Sequence, residues 1–169
     1  MRAAYLAQDD PSINEATKNL ARHMNCPLEA HWTALKRLGR YLLKYPMTAN
    51  VMKLQRTLKA IRVYVDTDHA GCTVTRRSTT GLVMMLGTHT VKTACNLQST
   101  IALSSGESEW YGLVKGSAVV LGFQALMSDW NLELTLEILS DSSAARGFSR
   151  RARCSAAVSR RRKGSWWNH

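Results

Sequence analysis

Ile61-Arg-Val-Tyr-Val-Asp-Thr-Asp68 decides the fold, because there the hydrophobic period changes from 3.6 residues to 2. Ile61, Val63 and Val65 alternate with Arg62, Tyr64 and Asp66, the pattern of a strand whose two faces meet unlike surroundings. Upstream the spacing is helical. Ser12-Ile-Asn-Glu15 has the form of a capping box, and Ile13, Ala16, Leu20 and Met24 recur on one side, which predicts a helix over residues 12–25. Pro27 suits a first helical position. Leu28, Trp32, Leu35, Leu38 and Leu42 then mark an apolar face that ends at Tyr45-Pro46, so a second helix completes a hairpin. Its Lys36, Arg40 and Lys44 repeat every four residues as a basic stripe, either the wet side of an amphipathic helix or a track for a nucleic-acid backbone.

Downstream, residues 82–86 read as a second strand, Gly87-Thr-His89 as a turn, and residues 90–93 with 100–103 as a third strand or its broken parts. Three consecutive strands suggest a meander. Ser104-Ser-Gly-Glu107 is another capping box and opens a long helix whose Trp110, Leu113, Val114, Leu121 and Ala125 are expected to keep one apolar side. Its glycines at 106, 112, 116 and 122 weaken it by roughly 0.5 to 1 kcal/mol each, so it depends on tertiary packing. Residues 134–139 form a buried strand, and Asp141-Ser-Ser-Ala-Ala begins a further helix.

The 169 residues, 45% hydrophobic and 21% charged, suffice for one ordinary core and a small second unit, and exclude a large multidomain enzyme or a disulfide scaffold. All 12 acidic residues lie at or before Asp141, so residues 1–141 carry +3 and the last 28 carry +8. A basic run without acids is a solvated tail or an arm that collects phosphate contacts. The four cysteines are widely spaced, with no Cys-x-x-Cys pair, which points to reduced thiols in an intracellular compartment. No secretory signal and no apolar run of about 20 residues is visible, so a soluble chain is expected.

The residues able to do chemistry are acids at element ends: Asp66 and Asp68 closing the first strand, Glu107 and Glu109 opening the long helix, and Asp141 closing the last strand. Carboxylates sharing a small volume repel one another and need cations, and oxygen-only ligands select hard ions such as Mg²⁺ or Mn²⁺. Two such ions about 3.5 to 4 Å apart can activate a water and stabilise the departing oxygen in phosphodiester cleavage. Glu107 is accounted for as the capping partner of Ser104, which leaves Glu109 without a structural task. Spacing does not choose between Asp66 and Asp68, and Asp141 is equally readable as a helix cap.

Four motifs in order, Tyr64-Val-Asp-Thr-Asp-His-Ala-Gly71, Thr75-Arg-Arg-Ser-Thr-Thr-Gly81, Ala102-Leu-Ser-Ser-Gly-Glu-Ser-Glu109 and Ile138-Leu-Ser-Asp-Ser-Ser143, resemble the ribonuclease H domain of copia-type LTR retrotransposon polyproteins. Leu20-Ala-Arg-His-Met24 and His31 to Leu42 resemble the segment that joins the reverse transcriptase to that domain. The resemblance implies an α/β fold: a ribonuclease H-like mixed sheet with packed helices, preceded by an α-helical hairpin and followed by an irregular C-terminal tail. It divides the chain into residues 1–58, the hairpin, 59–149, the ribonuclease H-like domain, and 150–169, the basic tail. It assigns Asp66, Glu109 and Asp141 as catalytic ligands of Mg²⁺ or Mn²⁺ that serve to hydrolyse the RNA strand of an RNA:DNA hybrid. Arg76, Arg77 and Ser78 then support the fold or touch the hybrid backbone, with Lys36, Arg40 and Lys44 as further contacts. The rest of a reverse transcriptase polyprotein is the implied partner, and no membrane is involved.

The chain departs from that family in three places. His69 stands where the family has tryptophan, and Trp110 where it has tyrosine. Nothing acidic follows Asp141, so a fourth acidic residue and a last helix are missing, which suggests a frameshifted or truncated terminus beyond Phe148. An inactive nucleic-acid-binding remnant is therefore the alternative. A more distant one is a haloacid-dehalogenase-like phosphatase, suggested by the Asp66-Thr-Asp68 strand end and the serine-ending strand Leu136-Glu-Ile-Leu-Ser140.

Overall fold

In the computed structural model, residues 2–55 and 58–149 are described in full, and residues 150–151 and 157–160 by their backbone. The chain divides between Lys53 and Leu54 into two units.

The first unit is helical: α1 (Arg2–Asp9), a single 3-10 turn (Pro11–Ile13), α2 (Asn14–Arg22) and α3 (Glu29–Lys44). The hairpin is present, but the capping box at Ser12 does not form. Asp10, buried beside it, accepts both the Ser12 backbone N–H at 3.0 Å and the Ser12 hydroxyl at 2.6 Å, so the acid two residues earlier takes the cap, that of the 3-10 turn. The core is small: Ala7, Ile13 and Leu38, with Ala3, Leu20 and Leu42 against them. Trp32 and Leu35, on the apolar face read from the sequence, remain exposed.

The second unit is built on β1 (Ala60–Asp68), the middle strand of a five-stranded sheet of order β3-β2-β1-β4-β5. β2 (Thr79–Leu86) and β3 (His89–Leu97) extend it as an antiparallel meander, while β4 (Thr135–Ser140) lies parallel to β1 on the other side. Ile61, Val63 and Val65 are buried as the alternation requires, and Arg62 faces out to pair with Glu137 at 2.8 Å. The third strand ends at Leu97. Residues 100–103 are not a strand, because the Gln98 backbone N–H bonds the Ser78 carbonyl at 2.8 Å and the chain then turns into a helix cap at Ser104. The tail, expected to be irregular, contributes β5 (Ala157–Arg160), parallel to β4, whose open edge offers backbone partners. The remainder of the tail, and with it the expected frameshift, lies outside the described residues.

The long helix α4 (Ser105–Asp129) crosses from the meander to β4, and α5 (Ser143–Arg151) packs beside its start. Of the expected apolar side of α4, Leu113 is buried and Trp110 packs against the core, whereas Val114, Leu121 and Ala125 are exposed; the buried side runs instead through Gly112, Leu113, Gly116, Val120 and Met127. The helix is apolar around its circumference, so periodicity alone could not tell which side faces the sheet. Gly112 and Gly116 settle it. A β-carbon at 116 would lie 2.6 Å from Val65 Cγ2, and one at 112 would lie 2.6 Å from Thr67 Oγ1. The result is the expected α/β architecture, a ribonuclease H-like mixed sheet with packed helices after a helical hairpin. No helix among the described residues is long and apolar enough to cross a membrane.

This close approach makes a paired prediction. Gly116→Ala should destabilise by about 1 to 3 kcal/mol through overpacking, despite its better helix propensity. Gly39→Ala, on α3 with nothing within 4 Å, should instead stabilise by about 0.5 to 1 kcal/mol. Urea midpoints of the two variants measure both, and equal effects would refute the packing account.

Candidate metal centre

β1 and β4 run parallel with Tyr64 opposite Leu139, so two residues further along, the side chains of Asp66 and Asp141 come side by side at the carboxyl ends of adjacent strands. Glu109 joins them from the first turns of α4, on the helix side that Gly112 holds against β1. Oxygen atoms of Asp66, Glu109 and Asp141 all lie within 4.8 Å of one another. Among the described residues, this is the group of three or more acidic, histidine or cysteine ligands that could hold an ion.

The electrostatics of the group are unbalanced. Glu109 is half-buried and its Oε2 is buried without a hydrogen-bond partner. Burial, followed by the charges of Asp66 and Asp141, pushes its carboxyl from the ordinary 4.5 up to about 7, while a Thr67 backbone contact pulls weakly the other way. Asp66 Oδ1 accepts the Thr67 backbone N–H at 2.9 Å. Three oxygen donors, one of them buried and unsatisfied, suit a hard divalent cation and not zinc.

The neighbouring acids are turned elsewhere. Asp68 lies against Gly71, where any β-carbon would collide with its carboxylate. Glu107 caps α4: Ser104 Oγ accepts the Glu107 backbone N–H at 3.2 Å, and Glu107 Oε2 accepts that of Leu103 at 2.7 Å. Its Oε1 accepts the Tyr111 hydroxyl at 2.8 Å. The Leu103 N–H, then the Tyr111 hydroxyl, hold the Glu107 carboxyl below its ordinary value, with His69 adding to the effect.

Arg76 and Arg77 are exposed in the turn after Cys72, with Arg76 in a left-handed conformation at φ 56° and its N–H bonded to the Cys72 carbonyl at 2.7 Å. Ser78 is fully buried and its Oγ accepts the Ala70 backbone N–H at 3.1 Å, so it supports the loop and cannot touch a nucleic acid. Lys36, Arg40 and Lys44 are exposed on α3 of the first unit. Lys36 Nζ stands 5.4 Å over the Trp32 ring and Lys44 Nζ 5.3 Å over Tyr45.

Gln98 is a residue that no motif singled out. Buried, it donates through Nε2 to Thr80 Oγ1 and to the Ser108 carbonyl, both at 2.9 Å, and so ties β2 to the turn of α4 that carries Glu109. Nothing in the sequence distinguishes it from a surface glutamine.

No family model matches the chain, and no solved structure does. The chain is similar to the retrovirus-related Pol polyproteins from transposons RE2 and RE1 of Arabidopsis thaliana, 31% and 32% identical over 131 residues, 78% of this chain. An uncharacterized mitochondrial protein of Arabidopsis thaliana is 32% identical over 114 residues, 68% of this chain and 47% of its own length. The chain spans 9% of the length of the two polyproteins.

The raised carboxyl fixes the sign of a pH effect. With Glu109 at about 7 in the fold and near 4.5 unfolded, the folded metal-free protein keeps a proton that the unfolded chain has released. Its contribution to stability therefore falls as pH rises from about 4.5 to 7. Thermal midpoints of wild type should drop relative to Glu109→Gln across that window, with the variant ahead at pH 8. Mn²⁺ should raise the wild-type midpoint at pH 8, far less at pH 5.5, and not that of the variant. Parallel wild-type and variant profiles would refute the assignment.

Proposed function

We propose, because this chain is a homologue of the retrovirus-related Pol polyproteins of transposons and carries a three-carboxylate cluster at the strand ends, that it is a metal-dependent ribonuclease H domain. Its substrate is the RNA strand of an RNA:DNA hybrid. The observation that carries this reading is the convergence within 4.8 Å of Asp66, Glu109 and Asp141, three acids far apart in sequence that the four-motif resemblance assigns as ligands. Mg²⁺ or Mn²⁺ held by them would supply water activation and charge stabilisation at a scissile phosphodiester.

The protein's own contribution is placement. Asp66 and Asp141 are fixed by strand register, and Glu109 by the contact of α4 with β1, so the three donors are presented together before any ligand arrives. A Glu109 carboxyl that gives up its proton only near neutrality ties ion binding to neutral and higher pH. The exposed Arg76 and Arg77 offer the hybrid backbone two cations in the same unit.

The absence of any acid after Asp141 favours a second reading, a nucleic-acid-binding remnant of a polyprotein without activity. A dehalogenase-like phosphatase is poorly supported: Asp68 turns onto Gly71, and the Ser140 hydroxyl is buried, accepting the Ser142 N–H at 3.2 Å.

The test is cleavage of labelled RNA annealed to DNA. Wild type should cut the hybrid with Mg²⁺ or Mn²⁺ and leave duplex DNA intact. Asp66→Asn should lose at least about a hundredfold, more than the 10- to 100-fold that loss of an outer-shell partner costs. Hybrid bound but uncut by wild type would favour the inactive remnant.

A further inference from the structure

We propose that the outer side of α4 is an antiparallel pairing surface for a second copy of this chain. Opposite the side packed on β1, Val114, Ala118, Leu121 and Ala125 follow one another at spacings of four, three and four residues. That is the seam of a two-helix coil, and here it is exposed, with Val114 at 50% and Leu121 at 56%. A helix apolar on both sides is stable when both are covered, and the sheet covers one. Alternation of a larger with a smaller residue lets a second helix interdigitate and approach closely.

The charges name the occupant and its direction. Lys115 and Asp129 flank this seam on the same edge, each seven residues from Gly122. Laid antiparallel about Gly122, two copies set Lys115 of each against Asp129 of the other, while Leu121 packs on Ala125. A parallel pair would set like charges together. Neither residue ion-pairs with another described residue, and Asp129, the last residue of α4, places a negative charge at the negative end of the helix dipole, which a partner lysine neutralises.

Gly122 is a further, independent sign. The other glycines of α4 meet a close neighbour: Gly106 the Ala144 side chain, Gly112 and Gly116 those of β1. Gly122 has nothing within 4 Å among the described residues, so its cost to the helix has no counterpart among them. It lies on the same edge as Lys115 and Asp129, midway between them, where the absence of a side chain leaves room beside the seam for a partner helix.

Sedimentation equilibrium of the full chain tests this. Wild type should show a concentration-dependent species of twice 18.9 kDa. Lys115→Glu and Asp129→Lys should each weaken association by about tenfold or more, and the double variant should restore it to near the wild-type constant, because the swapped charges meet again across the pair. Leu121→Asp should be monomeric. All three positions are solvent-facing, and circular dichroism confirms that each variant is folded; if Leu121→Asp is not, the charge swap alone decides. A wild type that stays monomeric, a Leu121→Asp dimer, or a double variant no better than the singles would each overturn the proposal.

Discussion

The contact of α4 with β1 across Gly112 and Gly116 is the constraint on which the second unit depends. With no β-carbon at either position, the helix settles onto Val63 and Val65 and shares in the buried cluster of Ile61, Leu82, Met84, Leu113, Val120 and Ile138. Glu109, three residues before Gly112, is on that same side and is carried down with it. Asp141 is fixed by a different device, the parallel ladder of β1 and β4, which brings the strand ends level. Gln98 adds a third, clamping the Ser108 carbonyl to Thr80. Three acids that repel are thus held together by packing, register and a buried amide, none of which involves their own charges.

That arrangement separates two glutamates only two residues apart. Glu107 receives an N–H and a hydroxyl, so its charged form is stabilised and its carboxyl titrates low. Glu109 receives burial and two carboxylate neighbours, so its charged form is penalised and it titrates near 7. Environments that push two like groups in opposite directions set them apart: Glu107 caps the helix and Glu109 belongs to the carboxylate cluster.

Much of this was legible in the chain and some was not, for identifiable reasons. The alternation at Ile61, Val63 and Val65 gave the central strand, because one face of β1 is wholly buried. Ser104 and Glu107 announced the start of α4, since no other acid competes there, whereas Asp10 displaced Ser12 from the same role upstream. Spacing left Asp66 and Asp68 equal; the distinction comes from Gly71, which leaves room for the Asp68 carboxylate to fold back. The buried side of α4 was legible at Leu113 and Trp110 but not at Val114, Leu121 and Ala125, because leucines and valines lie on both sides, and the deciding residues were glycines, which carry no hydropathy signal. Ser78, read as either a fold support or a backbone contact, proves the former, because its buried hydroxyl is committed to Ala70. Gln98 gave no sign at all, because a buried glutamine differs from an exposed one only by partners distant in sequence.

The two apolar sides of α4 bear on each other. The side toward β1 holds Glu109 in place, and the side away from it carries Val114 and Leu121, so anything that covers the second leaves the carboxylates open to a ligand. A helix with four glycines in 25 residues owes its persistence to what packs on it. Near its amino end β1 and α5 provide that packing; at Gly122 none of the described residues does. Covering the outer side would therefore stiffen the half of the helix farthest from the acids, and the geometry of the acids would feel it only through the helix axis. On this argument the three carboxylates come together within one chain, and association through α4 changes the stability of the helix more than the placement of the acids at its start.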